Sequence, residues 1–139
     1  MTIREHNLET IAPVLAAFKI HQTGGIDDLK DADIGSAVAI TGNSEVGPLP
    51  DDGQLLGKLI SLTLTDADDG QRIATVQLGG VCRLGVSATI PTVGNRVVGG
   101  GSGTVKQAPA VADAPAGGNI ARGTVLEVNG TIDCLILLN

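Results

Sequence analysis

Two six-residue runs, LISLTL at 59–64 and IATVQL at 73–78, alternate apolar residues imperfectly with Ser, Thr, Ala and Gln. A period of two marks a strand with one face buried. Between them Asp66-Ala67-Asp68-Asp69-Gly70 supplies turn formers and a final glycine able to take positive φ, so the runs pair as a hairpin with a longer loop. Residues 36–41 read as an earlier strand, 81–86 as a further one, and 104–107 as a short one. The chain closes on Leu135-Ile136-Leu137-Leu138, apolar on both faces and therefore expected to be buried on both.

The hairpin pattern occurs twice. Residues 34–50 laid over 93–109 match Gly35 with Gly94, Val38 with Val97, Gly42 with Gly101, Val46 with Val105 and Pro50 with Pro109, each pair 59 positions apart. Gly57-Lys58-Leu59 then matches Gly123-Thr124-Val125 at 66 positions, because residues 110–119 lengthen the second copy's loop. The hairpins close through Asp69-Gly70 and Asn129-Gly130, and their return strands, 73–78 and 132–137, align again at 59. Two copies are too few for a solenoid but suffice for a small all-β barrel or sandwich of two similar halves around one core. The expected organisation is an N-terminal arm and acidic linker over 1–33, then a barrel domain over 34–139 with copies at 34–79 and 93–138.

The arm stands apart from that repeat. Leu8, Ile11, Leu15 and Phe18 fall near helical spacing, but Pro13 interrupts any helix begun at Asn7. A short helix from Pro13 and an extended arm are the two readings. So apolar a segment must pack on its own barrel or on a neighbouring chain, and the neighbour is the preferred reading. Ile3, Leu8, Ile11, Val14, Leu15 and Phe18 are accordingly the candidate partner-contact residues.

Composition narrows the classes of function. The 139 residues make about one domain. One Phe, no Tyr and no Trp leave little to stack on bases or sugars, and a net charge of −6 with singly scattered Lys and Arg offers no basic stripe. Direct nucleic-acid binding is therefore not expected. No apolar run approaches the ~20 residues of a membrane span, and the first residues lack the order of a signal peptide. A high mean hydropathy of +0.26 suggests that another chain covers some apolar surface.

Candidate chemistry reduces to ordinary structure. Gly99-Gly100-Gly101-Ser102-Gly103 lacks the Lys-Ser/Thr of a phosphate loop and reads as a flexible hairpin turn. Asp66, Asp68 and Asp69 lack the oxygen spacing and closing Glu of a calcium loop. Asp27, Asp28, Asp31 and Asp33 read as the solvated acids of a linker, and His6 and His21 as surface or interface histidines with no ligand-spaced companion. Cys82 and Cys134, within strands, read as buried reduced thiols, a disulfide being the alternative. No nucleophile has a positioned base, so no catalytic residue, cofactor or metal is expected.

Several of these features together resemble one family. The Gly-x-apolar strand starts at Gly57 and Gly123, the acidic turn before GQRIATVQLGGV (70–81) and the terminal GTIDCLILL (130–138) are similar to the decoration, or cement, proteins of tailed-phage heads. The similarity spans 34–139. It implies a β-barrel or β-tulip-like protein, commonly a homotrimer, made in the host cytoplasm and carried on the virion. Such a protein docks on the outer capsid face at local three-fold sites, bridges major capsid subunits, resists internal DNA pressure and has no catalytic residues. A tail or head-completion barrel of the virion is the first alternative. A lipoyl-type carrier domain is the second, but its Lys at a hairpin tip is replaced here by Asp68-Asp69-Gly70 and Asn129-Gly130.

Overall fold

A computed structural model describes residues 13–63, 72–109 and 120–139. The described chain is all-β. Its strands are β1 (Val14–Ile20), β2 (Gln22–Thr23), β3 (Ile26–Asp27), β4 (Ala37–Gly42), β5 (Glu45–Pro48), β6 (Gly57–Leu62), β7 (Ile73–Gly85), β8 (Val97–Gly101), β9 (Thr104–Gln107), β10 (Thr124–Asn129) and β11 (Asp133–Leu138). Strands β1, β5, β4, β6 and β7 form a closed five-stranded barrel, because β1 pairs both with β5 and with the first half of β7. Closure leaves this sheet no free lateral edge at its waist.

The remaining strands follow the same order. The second half of β7 pairs with β11, and β11 with β10. A single bridge, Val97↔Arg122, joins the segment just before β10 to β8, and another, Val86↔Val105, joins the residue just after β7 to β9. A second, more loosely closed ring thus stands beside the first and shares β7 with it.

Residue by residue, the two rings carry one ladder. The β4–β5 pairs Val38↔Pro48, Ala39↔Gly47, Ile40↔Val46 and Gly42↔Glu45 recur in β8–β9 as Val97↔Gln107, Val98↔Lys106, Gly99↔Val105 and Gly101↔Thr104, every residue 59 positions on and the bulge in the same place. The β6–β7 pairs from Lys58↔Gln77 to Leu62↔Ala74 recur in β10–β11, bulge included, with the outgoing strand 66 positions on (124 minus 58). The return strand is 60 positions on (137 minus 77), one more than the residue-by-residue matching gave.

The arm is where the structure departs furthest from the sequence reading. Val14–Ile20 is neither helix nor free arm: its ladder Phe18↔Ala74, Ala17↔Thr75, Ala16↔Val76 is matched by Leu84↔Cys134, Arg83↔Leu135, Cys82↔Ile136 on the second half of β7. Strand β1 is thus the opening strand of the first ring, 66 positions before 80–86 (84 minus 18). The boundary drawn at residue 33 cuts through that ring. The acidic stretch after β1 is no linker either, since Leu29 within it is fully buried in the first core.

Burial follows the same division, so each ring has its own core where the sequence reading expected one. The first holds Ile20, Val38, Val46, Leu59, Ala74 and Val76. Their ladder counterparts Val86, Val97, Val105, Val125, Cys134 and Ile136 all lie in the second. Strand β4 is apolar on both faces because Val38 fills the first barrel while Ala37 and Ala39 join the second core. β11, between β7 and β10, likewise buries Leu135 and Ile136 on opposite faces, as its composition suggested.

Candidate partner-binding surfaces

The rings meet along a seam built by residues 49–56 and the glycine run of β8. Gly99 donates its N–H to Gly53 O at 2.8 Å and accepts from Asp52 N at 2.9 Å, and Asp51 bridges Gly100. Lys106 Nζ reaches Asp51 Oδ1 at 2.8 Å and Asp52 Oδ1 at 2.9 Å. Those carboxylates, Asp51 first, hold the ammonium above its ordinary value. Gly99 is glycine because the carbonyl of Pro50 lies 1.9 Å from where its Cβ would stand. Of the run read as a hairpin turn, Ser102 and Gly103 do turn between β8 and β9, whereas Gly99 lies in β8 and is a close-approach position against protein backbone.

Arg122 ties the seam from the other side. Its Nη1 donates to Leu55 O at 3.1 Å and to Leu56 O, and its Nη2 to Leu78 O at 2.6 Å. Partial burial pulls this guanidinium down from its ordinary value. It nonetheless stays charged, since arginine does not deprotonate in proteins.

Of the six candidate contact residues, Ile3, Leu8 and Ile11 lie outside the described residues. Phe18 packs against the first core, whereas Val14 and Leu15 are more than half exposed at the start of β1. Sequence reasoning missed a second set of exposed aliphatics. Ile34 and Ile60 on the first ring correspond at 59 and 66 positions to Val93 and Leu126 on the second, and all four are exposed. Hydrogen bonds of 2.7 Å, Gly35 N to Leu59 O and Gly94 N to Val125 O, bring the two segments of each pair together. The repeat offsets, applied to exposed rather than buried positions, would have found them.

The acidic residues are engaged locally. Asp27 accepts from Gln22 Nε2 at 2.8 Å, Asp31 pairs with Arg72 at 2.6 Å, and Asp33 accepts from Lys30 N at 2.8 Å. His21 does have an acidic companion: its Nδ1–H donates to Asp28 Oδ2 at 2.6 Å, and Thr23 Oγ1 donates to the same oxygen at 3.2 Å. The acid loop at 66–70 and His6 lie outside the described residues. Among the described residues no group of three His, Cys, Asp or Glu is placed to hold a metal ion, and no helix is long and apolar enough to cross a membrane.

The His21–Asp28 bond sets a pH window. It raises His21 above its ordinary value and lowers Asp28 below its own. The raised histidine contributes stability that is complete below about pH 6.5 and lost as pH rises through its folded value. The lowered aspartate contributes stability that is complete above about pH 4 and lost as pH falls through its folded value. Both contributions are small at so exposed a pair. His21→Gln should flatten the weak maximum in urea midpoint between those limits; an unchanged profile would show the pair to be energetically silent.

Cys82 and Cys134 are both buried and not joined in a disulfide. Burial, then Cys82, pushes the Cys134 thiol up to about 12. Since the thiolate is the reactive form, Cys134 should resist an aromatic disulfide reagent in native protein and react at once in denaturant. Rapid native labelling would contradict its burial.

No protein-family model, no curated protein and no solved structure matches this chain.

Proposed function

We propose that this protein is a structural component of a phage virion that binds the outer surface of an assembled capsid and stabilises it by bridging neighbouring major capsid subunits. One observation carries the reading: the duplicated ring presents the same kind of exposed aliphatic pair twice, Ile34 with Ile60 and Val93 with Leu126. Two equivalent faces on one molecule fit two equivalent positions on a repeating surface. Two weak contacts of ~10⁻⁴ M each then combine, through an effective concentration of ~10⁻³ M, into bridging at ~10⁻⁵ M, about tenfold tighter than either contact alone. A protein that binds only the assembled lattice stabilises it by mass action and needs no catalytic group.

On this reading the protein acts as a homotrimer at local three-fold positions, without cofactor, nucleic acid or membrane. Mixing purified protein with undecorated capsids and imaging them tests it, with added density at three-fold positions as the expected result. Bare capsids at saturating protein would remove the reading. Ile60→Lys or Leu126→Lys alone should weaken capsid binding about tenfold and the double variant should abolish it. A double variant no weaker than the singles would show that the two faces do not act together.

A further inference from the structure

The ladder correspondence pairs the edge at Gly99, which residues 52 and 53 occupy, with one at Ile40 that no described residue occupies. On the second ring, both backbone groups of Gly99 point out of the β8–β9 ladder and are taken by residues 52 and 53. On the first ring, Val38 lies opposite Pro48, which has no N–H, and the Val38 carbonyl instead accepts from Leu56 N at 2.9 Å. Val38 therefore faces away from β5, and the alternation of an antiparallel ladder turns the N–H and C=O of Ile40 the same way. Ile40 is 52% exposed. It lines a cleft of about 450 Å³ with Ala39, Pro50, Leu55, Leu56 and Arg122.

Two properties of the cleft define what fits. The backbone at Ile40 offers one donor and one acceptor in strand geometry, the template for an added extended segment. Across from it, the described partners of Arg122 are three neutral carbonyls, which leaves its Nε–H and one Nη2–H over. A planar guanidinium with donors to spare matches a carboxylate. A second copy of this chain is a poor occupant, because loop 49–53 seats against β8 only where Gly99 has no side chain, and the corresponding position here is Ile40.

We propose that this cleft binds an extended peptide segment of a partner protein, which adds as a strand to the Ile40 edge and sets a carboxylate against Arg122. The site does not depend on that partner being a capsid subunit.

The probe is a mixture of blocked hexapeptides with Asp fixed at the third position and Val, Ile, Thr or Ser elsewhere, equilibrated with the full chain and read by mass spectrometry of the retained fraction. Saturable retention is expected, with a drop of about tenfold for the same mixture carrying Asn in place of Asp. Ile40→Pro removes the outward N–H on the side of β4 that has no β6 ladder partner beyond Val38, and should lower retention by a similar factor with the urea midpoint little changed. In unaltered protein the Ile40 amide should exchange rapidly with solvent and slow when peptide is added, a readout independent of any variant's folding. Equal retention of the Asp and Asn mixtures, absence of saturation, undiminished retention by Ile40→Pro, or an Ile40 amide already protected without peptide would each overturn the proposal; the last would show the chain filling its own cleft.

Discussion

Gly99→Ala should cost about 3–5 kcal/mol and open the seam between the two rings. The new methyl would stand 1.9 Å from Pro50 O and 3.0 Å from both Gly53 N and Leu49 Cγ, and two of those three atoms are backbone that cannot swing aside as a side chain would. Relief requires loop 49–53 to lift off β8, which breaks the Gly99–Gly53 and Asp52–Gly99 hydrogen bonds. Each is worth ~1 kcal/mol. Lifting the loop also exposes Leu49, fully buried in the second core. Urea unfolding measures the loss, and the ladder supplies its control. Ile40→Ala, at the corresponding and half-exposed position of the first ring, should cost below ~1 kcal/mol. A Gly99→Ala protein as stable as that control would mean that the glycine run is indeed only a turn.

Removing residues 1–22 should leave no folded protein. The truncation deletes β1, so the first barrel opens along both β5 and β7, and Ile20 and Phe18 leave the first core. Eight ladder pairs, six with β7 and two with β5, and two large apolar side chains outweigh the ~5–15 kcal/mol that holds a domain of this size together. A chain that starts at Pro13 keeps every ladder of Val14–Ile20 and should fold. Circular dichroism and size exclusion of the two truncations separate the outcomes. A folded product lacking 1–22 would show that β1 is the dispensable arm its composition suggested.

What was legible in the sequence was whatever repeats. The hairpins and their bulge-bearing strands could be placed because glycines are fixed there by contact: a Cβ on Gly57 would stand 1.9 Å from Gln77 O, so the Gly-x-apolar start is a steric signature. Strand β1 was hidden by two accidents. Leu8, Ile11, Leu15 and Phe18 mimic a helical stripe, and residues 21–33 lengthen the first copy enough to obscure the match of Ala16, Phe18 and Ile20 with Cys82, Leu84 and Val86. That match sits at the same 66 positions already seen between Gly57 and Gly123. Leu29 was masked by its acidic neighbours, although the side chain that fills the first core is that single leucine rather than the charges around it. The candidate surfaces were harder to read. The His21–Asp28 pair crosses the β2–β3 turn, and the Ile40 cleft arises where residues 52 and 53 fill one ring's edge and no described residue fills the other's.

Strand β7 belongs to both rings, its first half pairing with β1 and β6 and its second with β11. Neither ring can come apart without stripping a neighbour from a strand the other requires. The molecule should consequently melt as one all-or-none unit despite its two cores, with no half-molten species carrying a single intact ring.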